Sequence, residues 1–144
     1  MKKVLLITNE YQCQEELTKK LKTRNLEVLR ALNGFEGVKM FKKFRPDLVI
    51  TGIIIPVLDG IEVIKSIRRV DVEVPILVCC DGNNPNMPTD ELFKELLVTH
   101  AIASQTNCDE IVTVVESIFD KMEEERMARE KAQEEKKKDP SDNS

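Results

Sequence analysis

Pro46-Asp47-Leu48-Val49-Ile50-Thr51-Gly52-Ile53-Ile54-Ile55-Pro56-Val57-Leu58-Asp59-Gly60 is the stretch that decides the fold. Residues 47–51 make a short apolar run rich in β-branched side chains, which suits a strand buried on both faces of a parallel sheet. Gly52 ends the run, and Pro56 cannot continue a central strand because it has no N–H for the ladder. Asp59-Gly60 is a turn signal, and Asp59 with Glu62 three residues on forms a carboxylate version of the capping box. The helix that follows carries its apolar stripe on Ile61, Ile64 and Ile67, extended to Val70.

The same alternation of apolar run and helical stripe continues in both directions. Upstream, residues 4–8 read as a first strand and residues 12–23 as a first helix, with Cys13, Leu17 and Leu21 on one stripe. Asn25 sits where that helix stops and tolerates the left-handed conformation a helix end needs. Residues 26–31 are the second strand. Asn33-Gly34 is a turn, and Val38, Met40, Phe41 and Phe44 supply the apolar positions of a second helix ending before Pro46.

Downstream, residues 75–80 are the fourth strand, and residues 81–90 form a long polar loop dense in turn formers. Thr89 or Asp90 caps a fourth helix carrying Leu92, Phe93, Leu96 and Leu97. Residues 100–104 are a short fifth strand. Asn107 caps a fifth helix, with Glu110 at the capping-box position and a stripe of Ile111, Val114, Val115, Ile118 and Met122. Five strand–helix units with right-handed connections predict an α/β, flavodoxin-like, doubly wound five-stranded parallel sheet of order 2-1-3-4-5. In such sheets the functional crevice lies beyond the carboxyl ends of the strands, which here brings forward Thr8, Asn9, Glu10, Gly52, Cys80, Asp81, Ser104 and Gln105.

The 144 residues divide into an expected domain over 1–122 and a charged helical extension with a disordered tail over 123–144. Glu125/Arg129 and Glu134/Lys138 are spaced to pair along a helix, but the extension offers no apolar heptad for a coiled coil. A net charge of −4 argues against nucleic-acid binding by electrostatics alone. The N-terminal apolar run is too short for a signal peptide, and no run approaches transmembrane length, so a stand-alone cytoplasmic protein is expected. Cys13, Cys79, Cys80 and Cys108 read as reduced thiols, and His100 lacks ligand partners at a recognised spacing, so no metal and no cofactor are expected. Cys79 and Cys80 point to opposite faces of a strand and do not chelate one ion together.

Residues 4–10, 31–34, 44–50, 55–60 and 74–78, in this order, resemble the receiver domain of bacterial response regulators, a likeness that spans residues 3–121. Pro56-x-x-Asp59-Gly60 after a buried strand is its most specific piece. The resemblance implies three carboxylates around Mg²⁺, because a hard divalent ion takes oxygen ligands and neutralises phosphoryl oxygens. Here the two strand-one carboxylates fall on Thr8 and Asn9, beside Glu10, and the phosphoacceptor aspartate falls on Gly52. The hydroxyl residue ending strand four falls on Cys80, the lysine after strand five on Gln105, the following proline on Thr106, and the aromatic switch residue on Ile102. With no proline at 106, a trans Gln105–Thr106 bond and a shifted turn are expected, since a cis bond there costs ~2.5–4 kcal/mol.

So many replacements at one site point to a degenerate, pseudo-receiver form with no catalytic residue. The expected role is a phosphorylation-independent protein–protein interaction module in a bacterial two-component or related signalling system, monomeric or weakly dimeric. The resemblance implies another signalling protein as partner, on the helix 4–strand 5–helix 5 face. Polar positions off the stripes there are Thr89, Glu91, Lys94, Glu95, Ser104, Thr106, Asp109 and Thr113, any of which could equally be plain solvated surface. Two other readings stay open: a phosphorylatable regulator using a displaced carboxylate (Asp59, Asp81 or Glu10), and a thiol switch at Cys80 or Cys108. No DNA-binding domain is expected, so any effect on transcription is expected to be indirect.

Overall fold

Each apolar run forms a strand and each is followed by a helix in the computed structural model, which describes residues 1–8, 11–52, 57–80, 90–103 and 108–137. In chain order these are β1 (Lys2–Ile7), α1 (Tyr11–Lys22), β2 (Leu26–Ala31), α2 (Gly34–Phe44), β3 (Leu48–Gly52), α3 (Gly60–Arg68), β4 (Ile76–Cys80), α4 (Asp90–Glu95), β5 (His100–Ala103) and α5 (Cys108–Lys137). All strand pairs are parallel, in the order β2-β1-β3-β4-β5. The expected doubly wound sheet is therefore present, with the strand order reversing beside β1.

Packing divides the chain into two units, Met1–Val112 and Thr113–Ser144. In the first, Leu5, Ile7, Val49, Ile76 and Val78 from the sheet pack with Phe41 of α2, Val63, Ile64 and Ile67 of α3, and Phe93 of α4. The intervening strand residues Val4, Leu6, Leu48, Ile50 and Leu77 are also buried, on the opposite face by the two-residue period. Burial on both faces explains why these strands read as continuous apolar runs rather than alternating ones. Each such Leu or Ile contributes about 1.5–3 kcal/mol by leaving water.

Two glycines let α2 sit close to its neighbours. A Cβ at Gly37 would stand 2.5 Å from Ile7 Cδ1, and one at Gly34 would stand 1.8 Å from the Leu58 carbonyl oxygen. Asn33, expected only as a turn, is the N-cap of α2: its side chain accepts from the Glu36 N–H at 2.8 Å. Asn25 adopts φ 61°, the left-handed form expected of it, and Arg45 does the same after α2 at φ 46°.

Several stripe assignments need correction. Val63 is buried and Val70 exposed, because α3 ends at Arg68 and the chain has left the helical path before Val70. Phe44 is partly exposed at the end of α2, while Phe41 alone of the four expected positions is fully buried. α4 stops at Glu95, and Leu97 turns outward with φ 57°, so it does not extend the helical stripe. Thr8 lies beyond β1 rather than within it. In the second unit, Val115 and Phe119 are buried, Val114, Ile118 and Met122 are half-buried, and the helix runs on to Lys137. Arg126 there pairs with Glu123 and, at 2.6 Å, with Glu130.

Candidate functional site at the carboxyl edge of the sheet

Parallel pairing lines up the strand ends. Ile7 stands opposite both Ala31 and Thr51, Gly52 opposite Cys79, and Cys80 opposite Ala103. Immediately past β1, the Thr8 N–H donates to the Ala31 carbonyl at 3.2 Å. The Gln14 side chain of α1 is 2% exposed, and its Nε2 donates to the same Ala31 carbonyl at 3.2 Å and to the Thr8 carbonyl at 3.4 Å. A buried amide thus ties the ends of β1 and β2 together through two carbonyls.

At the end of β3, Thr51 is fully buried and its Oγ1 donates to the Gly52 carbonyl at 2.9 Å. Gly52 brings no side chain to the crevice. Ile102 is buried on β5, and Cys80 ends β4. Among the described residues that end the strands, none is a carboxylate. Asn9, Glu10, Asp81, Ser104 and Gln105 lie outside the described residues, as do Thr106 and the expected trans bond before it.

The loop leaving β3 is described from Val57. Val57 takes φ 72°, a left-handed conformation that is rare for a β-branched residue, and its side chain is exposed. Leu58 presses its carbonyl against Gly34. Asp59 caps α3 as the spacing predicts, its Oδ1 accepting from the Glu62 N–H at 3.0 Å. Of the two cysteines whose side chains are described, Cys79 is half-buried in β4 and Cys108 is buried at the start of α5.

Of the expected partner-face positions, Glu91, Lys94 and Glu95 are exposed on or beside α4. Asp109 is exposed in the first turn of α5, where Oδ1 accepts from Lys20 Nζ at 2.8 Å, and the ion pair raises the Lys20 pKa. Thr113 is exposed within the second unit, and Thr89, Ser104 and Thr106 lie outside the described residues.

At the opposite, amino edge of the sheet, away from this crevice, a residue without any sequence signal ties α3 and α4 to the starts of β4 and β5. Arg68, the last residue of α3, donates from Nε to the Leu96 carbonyl at 2.9 Å and from Nη2 to the Leu97 carbonyl at 2.8 Å. Its Nη1 donates to the carbonyls of Val74 at 2.8 Å and Asp71 at 3.1 Å. Burial lowers the Arg68 pKa, and Asp71 acts in the opposite direction. Thr99 completes the junction: its N–H donates to the Ile76 carbonyl at 2.9 Å, and its Oγ1 accepts from the Ile76 N–H at 3.0 Å.

Comparison with known proteins gives one family, the response regulator receiver domain, matched over residues 4–116. The chemotaxis protein CheY of Halobacterium salinarum is 32% identical over 80 residues, covering 55% of this chain and 67% of that protein. The transcriptional regulatory protein PrrA of Mycobacterium tuberculosis is 32% identical over 76 residues, which cover 53% of this chain but only 33% of that longer protein. Among solved structures, the chemotaxis response regulator CheY4 of Vibrio cholerae superposes with a TM-score of 0.74 at 22% identity, covering 82% of this chain and 98% of CheY4. That structural likeness speaks for the fold.

Proposed function

Because the chain belongs to the response regulator receiver domain family, we propose that it acts in signal transduction as a phosphorylation-independent protein–protein interaction module. The single observation that carries this reading is Gly52 at the end of β3, the position matched to the phosphoacceptor aspartate of receivers. Glycine has no nucleophile. Thr8, Cys80 and Gln105 at the matched metal, hydroxyl and lysine positions support the same reading, and no enzyme activity is assigned.

Asp59 is a poor substitute acceptor, because its carboxylate already holds the start of α3 through the Glu62 N–H. The partner is another signalling protein engaging the helix 4–strand 5–helix 5 face, on which Glu91, Lys94, Glu95 and Asp109 are exposed. Cytoplasmic residence fits this role, and among the described residues no helix is long and apolar enough to cross a membrane. The test is an amide NMR titration with Mg²⁺ and beryllofluoride, the phosphoryl mimic. The reading requires that Thr8, Gly52, Cys80 and Ile102 do not shift; saturable shifts spreading from Gly52 toward α4 would refute it and reinstate a displaced acceptor.

A further inference from the structure

We propose that the outer face of α2 is a docking groove for an acidic amphipathic helix of another protein. A groove of ≈ 510 Å³ is lined by Glu36, Lys39, Met40, Lys42, Lys43 and Phe44. The inner face of α2 is committed to the core through Gly34, Gly37 and Phe41. Glu36, Met40 and Phe44 form one row spaced by four residues, in which Met40 is half-buried against the core and Glu36 and Phe44 are exposed, and Lys39 and Lys43 form the next. The channel between two such rows is what a ridge of a second helix fills in the commonest mode of helix packing, at a crossing angle of about −50°.

Charge names the kind of helix. Residues 32–45 hold Lys39, Lys42, Lys43 and Arg45 against Glu36 alone, on a chain whose net charge is −4. The cations are interleaved with apolar surface. Lys39 Nζ stands 5.7 Å from the ring centroid of Phe35, which is 56% exposed, and Lys43 Nζ stands 5.3 Å from that of Phe44. An occupant therefore has to place an aliphatic ridge on Phe44 and on the part of Met40 that the core leaves in the groove, with carboxylates beside the lysines, which is the pattern of an acidic amphipathic helix. Lysines over the rings leave poor platforms for stacked bases, and the overall negative charge opposes a polyanion at long range. A bilayer cannot enter a channel between two side-chain rows. The groove shares no residue with the α4 and α5 positions named above, so it stands or falls separately from the phosphorylation question.

The test titrates the isotopically labelled full chain with a synthetic amphipathic helix of leucine and glutamate, and with the same peptide carrying glutamine in place of glutamate. Expected are saturable shifts confined to the amides of residues 34–45, with binding about tenfold or more weaker for the glutamine peptide, for Lys39→Glu/Lys43→Glu and for Phe44→Ser. Lys39→Gln/Lys43→Gln, which keeps the exposed stems, is expected to fall between wild type and the charge reversal. Absence of saturable shifts, or equal affinity for the two peptides, overturns the proposal. So does lysine-dependent sedimentation with phosphatidylglycerol vesicles, which would make the face a membrane surface. Self-association abolished by Lys39→Glu/Lys43→Glu would overturn it too, assigning the groove to a second copy of the chain.

Discussion

The guanidinium of Arg68 reaches across to the carbonyl of Leu97, 29 residues away, and donates to it at 2.8 Å. With Leu96, Val74 and Asp71 it serves four carbonyls, so one side chain fastens the end of α3, the approach to β4 and the end of α4. Charge-assisted hydrogen bonds are worth about 1.5–3 kcal/mol each when the partners cannot be rehydrated. These sit partly in water, so Arg68→Ala should cost about 2–3 kcal/mol in urea unfolding rather than the sum. It should also speed amide exchange at Leu96, Leu97 and Val98. Arg68→Lys is expected to recover less than half of the loss, because a point ammonium cannot serve carbonyls on two sides as a planar fork does. Full rescue by lysine would show that charge, not geometry, does the fastening.

Val57 is held at φ 72° with its side chain in solvent, so its conformation is strained and no burial offsets it. Left-handed backbone costs a non-glycine residue about 1–2 kcal/mol, and a β-branched one sits at the upper end. Val57→Gly and Val57→Asn should each raise stability by about 1 kcal/mol, read as a shift in denaturant midpoint at constant slope. A loss in both variants would mean that the loop conformation differs from this one in solution.

Gly34 and Gly37 both pack tightly, but against unlike neighbours. The atom facing Gly34 is the Leu58 carbonyl oxygen, fixed in the backbone, whereas Gly37 faces the tip of the Ile7 side chain. Gly34→Ala should therefore cost about 3 kcal/mol or more and displace the loop before α3, while Gly37→Ala, where Ile7 can rotate, should cost about 1–2 kcal/mol. Comparing the two melting curves checks the order. The reverse ranking would contradict the close approach of α2 to Leu58.

The fold was legible because buried parallel strands leave continuous β-branched runs, as in residues 48–51, and because Asn25 and Asp59 each perform the local task their chemistry suggests. Periodicity failed at element ends. Val70 and Leu97 match the helical spacing, but hydrogen bonding has already left the helix there, and neither position shows this in its residue type. Gln14 and Arg68 were illegible for a different reason. A polar side chain on a helix reads as solvated, and only the tertiary approach of backbone carbonyls reveals that each is a clamp. At the crevice, the presence of Gly52 at the end of β3 is readable from sequence. The surrounding shape is not, because it depends on loops that carry no periodic signal.

Lys20 and Asp109 give the stability a pH signature. Hydrogen bonding and attraction to Asp109 raise the Lys20 pKa above its ordinary 10.5. The folded value lies above the unfolded one, so the contribution is complete below about 10.5 and disappears as pH climbs through the raised value. Lys20 is half-buried and Asp109 exposed, and the effect should be small and salt-sensitive. Lys20→Gln should remove a small, constant contribution below about pH 10.5 and flatten the alkaline end of the stability curve. An alkaline limb left unchanged by Lys20→Gln would show that Lys20 is not the group that titrates.

The charged end of α5 is expected to be dispensable for folding. All five strands lie within Met1–Val112, and residues 124–134 are exposed along the helix. The pairs from Arg126 to Glu123 and Glu130 are solvent-exposed ion pairs of the kind worth about 0.3–0.5 kcal/mol, enough to support helix but not to hold a domain. Deleting residues 124–144 should therefore lower Tm by less than about 4 °C, the shift that about 1 kcal/mol produces in a domain of this size. The β-sheet amide pattern should be unchanged. A fall of tens of degrees would place part of the folding core beyond Glu123 and redraw the domain boundary proposed at residue 122.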